Sequence, residues 1–231
     1  MPVFRLPAEP VFPPAELARE DGLLAVGGDL SPERLIMAYR MGIFPWFSEG
    51  QPILWWSPDP RMALEPSGLA VSRRLKRTLK KKAFQITVDT AFDRVVEACA
   101  GPRSGERHGT WITPEMIRAY GRLSREGYAH SFEAWHEGEL AGGLYGVCLG
   151  GVFFGESMFH RVPDASKAAL AALADYARRH DFDMIDCQTP TGHLARMGAG
   201  EISRGVFLER LERSLLKKTP RGRWTMGPME T

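Results

Sequence analysis

Three apolar stretches, at about residues 128–136, 139–149 and 151–158, follow one another with only Glu137-Gly138 and Gly150-Gly151 between them. Links this short form hairpins and leave no room for a crossover helix, so the three strands run antiparallel. Around this unit the pattern is helical. Ser72 is placed to cap a short helix in which Leu75 and Leu79, four apart, share a face. A strand at Phe84–Val88 and a helix at Ala91–Ala100 follow. Thr113-Pro114-Glu115 opens a helix carrying Ile117, Tyr120 and Leu123 on one stripe. After the three strands come an alanine-rich helix at about 166–180, an apolar strand ending Met184-Ile185-Asp186-Cys187-Gln188, and an amphipathic helix at about 203–217. The order β-α-α-β-β-β-α-β-α belongs to an α/β or α+β domain with a mainly antiparallel sheet, and α+β is the expected class.

Proline divides the chain, since 11 of its 17 prolines lie in the first 66 residues. This predicts a small, loop-rich N-terminal domain at residues 1–62 and a regular domain at 63–231. The first domain has one clear helix, at Ser31–Met41, with Ser31 as cap, Pro32 in the first turn and Gly42 as its stop.

Lys and Arg total 30 against 28 Asp and Glu, a net charge of +2. That near-neutral sum hides an uneven distribution. Residues 71–82 hold Arg73, Arg74, Lys76, Arg77, Lys80, Lys81 and Lys82 with no acid, so the strip carries +7 and the remainder 2 − 7 = −5. Seven cations on about three helical turns repel one another, a cost that a polyanion would relieve. The plain alternative is a solvated face.

Cys99, Cys148 and Cys187 are odd in number and widely spaced, which points to a reducing compartment rather than disulfides or structural zinc. Neither the N-terminus nor the run Ala141–Gly155 has the length of a signal or membrane-spanning segment, so a soluble cytoplasmic protein is expected. The chain lacks GxxxxGK[ST], HExxH and GxSxG patterns, and its six histidines make no metal-like spacing. Phosphate-loop hydrolysis, zinc proteolysis and serine-hydrolase chemistry lose support accordingly. Arg196-Met197-Gly198-Ala199-Gly200 is a poor version of an acyl-CoA pyrophosphate loop.

Three further constellations remain. Phe44-Pro45-Trp46-Phe47-Ser48 and Trp55-Trp56-Ser57-Pro58-Asp59-Pro60-Arg61 concentrate indoles that serve either as small-domain core or as platforms for an unpaired base, worth about 1–3 kcal/mol each. Trp111, after a Gly109-Thr110 turn, has the same two readings. In Val152-Phe153-Phe154-Gly155-Glu156-Ser157, Gly155 suggests a bulge or a close backbone approach that redirects Glu156, and a buried glutamate there needs a cationic or hydrogen-bonding partner. The alternative is an edge-strand charge. Asp186 and Gln188 alternate onto one face at the end of an apolar strand, which is costly unless a polar site lies there, while Cys187 points to the core.

These residues, with Asp21-Gly22-Leu23-Leu24-Ala25-Val26-Gly27-Gly28-Asp29-Leu30-Ser31, the run GIFPWFSEGQPILWWSPDPR, and the blocks GTWIT, GGLYGV, FFGESMF, ASK and DCQ, resemble the bacterial leucyl/phenylalanyl-tRNA–protein transferase family over about residues 12–205. The resemblance implies that the second domain is similar to the N-acetyltransferase (GNAT) fold. It implies transfer of Leu or Phe, less readily Met, from Leu-tRNA or Phe-tRNA to proteins with N-terminal Arg or Lys, marking them for N-end rule degradation. No cofactor or metal is implied, because the aminoacyl ester is already activated. No membrane partner is expected, and a monomer is.

Carried onto this sequence, the resemblance makes Asp186 and Gln188 the catalytic pair, with the aspartate polarising the glutamine toward the attacking amine. A neutral amide is a weak base and an N-terminal amine has a pKa near roughly 8, so Gln188 is as well suited to orienting the amine. Trp46 and Trp111 match the aromatics around the terminal adenosine, with Glu156 a polar contact there. Leu144, Phe153, Gly155, Leu173 and Ile185 match the aminoacyl pocket. Leu144 stands where Met is expected, and Leu173 and Ala177 where larger aromatics occur, which leaves the Leu-versus-Phe preference open. The strip Arg73 to Lys82 matches the cluster that grips the tRNA acceptor arm. Two other readings stay open from the residues alone: an acyl-CoA-dependent N-acyltransferase, and a non-catalytic RNA-binding module.

Overall fold

A computed structural model describes residues 2–101 and 111–226. The Gly109-Thr110 turn lies outside them.

Two sheets organise the chain. Strands β1 (Phe4–Leu6), β2 (Leu23–Gly27), β3 (Phe44–Pro45) and β4 (Leu54–Trp56) form the first, in the order β1-β2-β4-β3. Helix α1 (Pro32–Arg40) starts where its signals place it, with Ser31 Oγ accepting the Arg34 N–H and Pro32 in the first turn. It ends at Gly42, whose φ of 72° suits the residue without a side chain. Trp55 is fully buried and donates its indole N–H to the Gly27 carbonyl, so this indole is core.

The second sheet has seven strands: β5 (Arg61–Leu64), β6 (Gln85–Val88), β7 (Ala129–His136), β8 (Glu139–Leu149), β9 (Val152–His160), β10 (Met184–Gln188) and β11 (Gly200–Ile202), in the order β11-β5-β10-β9-β8-β7-β6. The predicted three-strand unit is β7-β8-β9, and it is antiparallel. Among the described pairs of this sheet only β9–β10 is parallel, bridged by helix α5 (Ala165–Arg179). The class is therefore α+β with a mainly antiparallel sheet. Strand β5 begins at Arg61, so Arg61 and Met62 pair into the larger sheet although the proline-rich text continues up to them. Strands β5 and β11, of four and three residues, are too short to show a period of two.

Helices α3 (Phe92–Ala100) and α4 (Pro114–Arg125) cover one face, where Val95, Val96, Met116 and Tyr120 share a core with Tyr145, Val147 and Phe154. Helix α5 covers the other, where Leu170 and Leu173 pack with Leu144 and Phe153. Helix α2 (Arg73–Lys80) inserts Leu75 into that second core, with Ser72 as the cap. Helices α6 (Gly192–Arg196) and α7 (Arg204–Ser214) complete the chain. Beyond α7, Trp224 returns to the core and stacks on Tyr176. No helix among the described residues is long and apolar enough to cross a membrane.

Two irregularities shape the centre. On β9, Gly155 faces Gly146 and Ser157 faces Tyr145, leaving Glu156 as the inserted residue of a bulge. On β10, Asp186 faces Ala63 and Gln188 faces Met62, leaving Cys187 inserted, and Gln188 takes a φ of 62°. Gly146 makes the first bulge sterically feasible. A Cβ there would lie 2.1 Å from the Phe154 carbonyl oxygen and 2.6 Å from the Phe153 ring. Because backbone cannot yield as a side chain does, Gly146→Ala is expected to cost about 3 kcal/mol or more, read as a lower urea midpoint. An unchanged midpoint would contradict the close approach.

Candidate active site

Strands β9 and β10 pair as far as Phe154 and Asp186, then part. A cleft of about 740 Å³ opens at the parting, so side chains from both faces of the sheet reach it. It is lined by Trp46, Trp111, Leu144, Phe153, Gly155, Glu156, Leu173, Ile185, Asp186 and Gln188, all expected there from sequence, whereas Trp55, Trp56 and Ala177 do not line it. Of the basic strip, Arg74 also reaches it.

Asp186 is fully buried and meets the equally buried Arg61 in a two-pronged pair, Arg61 Nε to Oδ1 at 2.9 Å and a terminal guanidinium nitrogen to Oδ2 at 2.6 Å. The other terminal nitrogen donates to the Gly42 carbonyl, and the guanidinium lies over the rings of Phe44 and Phe207. Asp186 Oδ1 also accepts the main-chain N–H of Gln188 at 2.9 Å. The aspartate thus fixes the backbone of Gln188 and does not hold its amide group. Alternation, which stops at the Cys187 bulge, is not what brings the two together. Cys187 is half-buried and lines the cleft rather than pointing into the core, and burial pushes its thiol up to about 12.

The Gln188 amide donates from Nε2 to Glu156 Oε1 at 2.8 Å. Glu156 lies on a central strand, not an edge, and the bulge turns it toward two tyrosines: Tyr39 of α1 donates to Oε1 at 2.8 Å and Tyr120 of α4 to Oε2 at 2.7 Å. The two phenolic oxygens are themselves 2.6 Å apart. Among the described residues no cation forms an ion pair with Glu156. Burial therefore pushes its carboxyl from 4.5 up to about 7, against the hydrogen bonds from Tyr120, Tyr39 and Gln188, with the Asp186 charge adding to the rise. Burial, then the charge of Glu156, holds both phenols well above their usual range, so they stay protonated.

Trp46 is 43% exposed at the cleft and Trp111 is half-buried just before α4. Trp56 donates its indole N–H to the Trp46 carbonyl and packs its ring 5.7 Å from that of Trp46, fixing the platform from behind. Leu144, Phe153, Leu173 and Ile185 form an apolar wall. Arg73, Arg74, Lys76, Arg77, Lys80, Lys81 and Lys82 are all exposed on or just after α2. Arg74 has a partner the local sequence does not supply, Asp164 at 2.9 Å, which also binds Lys167. Among the described residues the other six form no ion pair.

Gly198 follows α6 at a φ of 97° and leads into strand β11, so the Arg196–Gly200 segment opens no helix on which a pyrophosphate could rest. No group of three His, Cys, Asp or Glu among the described residues could hold a metal ion.

Residues 63–212 match the family model described as leucyl/phenylalanyl-tRNA protein transferase, and residues 28–59 match the model of its N-terminal domain. The chain belongs to the leucyl/phenylalanyl-tRNA protein transferase family. Relatives carrying that name include one from Desulfatibacillum aliphaticivorans, 58% identical over 98% of this chain and 97% of its own length. Others are from Anaeromyxobacter sp. (strain K), 57% identical over 98% and 97%, and Syntrophobacter fumaroxidans, 59% identical over 93% and 92%. Among solved structures, a GCN5-related N-acetyltransferase from Kribbella flavida has a TM-score of 0.37 at 14% identity, covering 78% of this chain and 63% of its own.

Arg61, Tyr39 and Tyr120 were not among the residues singled out from sequence. Tyr39 and Tyr120 occupy apolar stripes of their helices and pass for core filler. Their one signal is that a buried phenol needs a partner. Arg61 closes the Trp55–Arg61 segment, and its fully buried place in Arg61-Met62-Ala63-Leu64 demands a carboxylate. Removing one member of this pair strands a buried charge. Arg61→Met is expected to cost about 3–5 kcal/mol in urea unfolding, and the double variant Arg61→Met/Asp186→Leu to recover most of it. Equal losses in both would mean the pair is not a buried charge pair.

Proposed function

We propose that this chain moves the aminoacyl group of Leu-tRNA or Phe-tRNA onto the N-terminal amine of proteins beginning with Arg or Lys, marking them for degradation. The observation that carries the reading is the meeting, in one cleft, of an exposed indole platform, an apolar wall and a buried amide–carboxylate pair, with a cationic helix reaching the rim through Arg74. Family membership supports the same activity. The terminal adenosine stacks on Trp46 and Trp111, and the aminoacyl side chain lies against Leu144, Phe153, Leu173 and Ile185 beside Gly155. Discrimination by such a wall is shape-based, with one methylene or branch worth about 1–3 kcal/mol, so it is partial, and the lower readiness for Met is carried over from the family resemblance. Gln188 presents its carbonyl oxygen to the attacking amine because its NH₂ is engaged by Glu156. Its role is orientation, which needs no basicity. A cytoplasmic monomer is part of this reading, and the odd number and wide spacing of the cysteines support a reducing compartment.

Two experiments test it. Incubated with labelled Leu-tRNA, labelled acetyl-CoA and a peptide beginning with Arg, the protein is expected to make only the leucine label acid-stable on the peptide. Acetyl label on the peptide would support the acyl-CoA alternative, and no label a binding module. In the same assay Gln188→Ala is expected to bind aminoacyl-tRNA almost normally and transfer slowly, and equal single-turnover rates would remove Gln188 from the mechanism.

The strip is tested by salt. Each phosphate contact contributes about 0.7–0.9 to the slope of log affinity against log salt, so replacing Lys80, Lys81 and Lys82 by Gln is expected to flatten that slope by about 2–3. Transfer from a minimal aminoacyl-adenosine donor is expected to persist. An unchanged slope would return these lysines to a solvated face.

A further inference from the structure

Glu156, Tyr39 and Tyr120 close a ring of three oxygen–oxygen contacts of 2.8, 2.7 and 2.6 Å. Each contact is short enough to be a hydrogen bond and each needs a proton. With Glu156 ionised, the two phenols supply only two protons for three contacts. If both phenols donate to the carboxylate, their own oxygens face one another at 2.6 Å with nothing between. One added proton, on the carboxyl, completes the ring. The site is thus built to hold one more proton than it carries in its charged form.

We propose that this ring is the proton store of the transfer reaction: Glu156 takes the proton that the attacking amine gives up and returns it to the departing ribose oxygen. The inference rests on the aminoacyl-transfer reading above. In the balanced step, the amine nitrogen bonds to the ester carbonyl carbon and its proton passes to Glu156, directly or across one hydroxyl or water. The bond from that carbon to the ribose oxygen then breaks, and the proton goes to this oxygen, leaving the carboxylate as it began. Gln188, hydrogen-bonded to Glu156 Oε1, places the amine beside the store. Tyr39 and Tyr120 are positioning residues that hold the carboxylate and accept the ring proton.

The surroundings suit a group that titrates near neutrality. Tyr39 faces Glu156 from α1, Tyr120 from α4, Tyr145 from β8, and Asp186 and Gln188 from β10. The Asp186 charge is compensated by Arg61 of β5. With no cation on Glu156 among the described residues, burial opposes ionisation while three hydrogen bonds favour it, which leaves the carboxyl near 7, where a general base is most effective. Tyr145, fully buried with its hydroxyl unpartnered, adds desolvation without a hydrogen bond.

The test has two readouts. Infrared difference spectra of the carbon-13 glutamate-labelled protein, wild type against Glu156→Gln, follow the carboxyl without any substrate. A protonated-carboxyl band is expected to vanish with a midpoint near pH 7. Tyr39→Phe and Tyr120→Phe each remove a donor to the carboxylate and are expected to move that midpoint upward. No titration between pH 5 and 9, or midpoints unmoved by both variants, overturns the store. Single-turnover transfer from an aminoacyl-adenosine donor to an Arg peptide gives the second readout. Below pH 7 the log rate is expected to rise with a slope near two in wild type, from the carboxyl and the amine. In Glu156→Gln it is expected to rise with a slope near one, with a plateau lowered by about 10² or more. Identical profiles overturn the catalytic role. A titrating carboxyl in a wild-type protein that transfers nothing from the donor would instead overturn the aminoacyl-transfer reading, and the use of the store with it.

Discussion

Arg61 and Asp186 form an ion pair buried from solvent, and much of the molecule is arranged to make that tolerable. Desolvating two such charges costs several kcal/mol each, recovered only when geometry is good and the remaining protons are satisfied. Here they are satisfied by parts far apart in sequence. The carbonyl that receives the spare guanidinium nitrogen belongs to Gly42, just past α1, and the rings that sandwich the guanidinium come from β3 and α7. The first sheet, the second sheet and helix α7 therefore meet on one cation. The pair also sets the backbone of Gln188, because Asp186 Oδ1 accepts the Gln188 N–H as well as the Arg61 Nε–H. Stability and site geometry are the same interaction at this point.

The cleft holds two buried carboxylates in opposite circumstances. Asp186 has a guanidinium, whereas Glu156 has only hydroxyls and an amide. The first is a fixed charge that organises structure. The second has no cation among the described residues to keep it ionised and sits where burial outweighs its hydrogen bonds, which is the environment in which a carboxyl changes protonation near neutrality. Gln188 stands between them, its main chain held by the charged acid and its side chain by the titrating one. That arrangement accounts for an amide at a position where a base would be expected: it transmits geometry from one carboxylate and lies next to the proton capacity of the other.

What the sequence made legible follows from the range of the forces involved. The β7-β8-β9 unit, the caps at Ser31, Ser72 and Thr113, and the alanine-rich helix are local, and local patterning placed them within a few residues. The bulge at Glu156 was one of two readings that Gly155 offered in a strand so apolar, the other being a close backbone approach. The bulge at Cys187 was not readable, since nothing in Asp186-Cys187-Gln188 departs from alternation, and the irregularity arises from pairing with β5. Arg61, Tyr39 and Tyr120 were missed for the same reason. Each looks ordinary within its own segment and becomes functional only through partners 36 to 125 positions away. Trp55 and Trp46, indistinguishable as indoles among prolines, separate into core and cleft only when β4 lies between β2 and β3.

Charge shows the same division at longer range. The near-zero total is a +7 strip and a −5 remainder, and the fold joins the two at one place. Arg74 turns from the strip toward the cleft and is held there by Asp164, which also binds Lys167. The other six cations stay exposed and, among the described residues, without ion pairs, able to exchange counterions for phosphates, an interaction whose strength depends on salt and hardly on geometry. Inside the cleft the balance reverses. The interactions there are short, buried and insensitive to salt, and they depend on tenths of an ångström. A ligand that is a polyanion along most of its length and a small apolar ester at one end would meet both regimes in turn, because the helix whose exposed cations would face its phosphates carries in its first turn the arginine that borders the pocket.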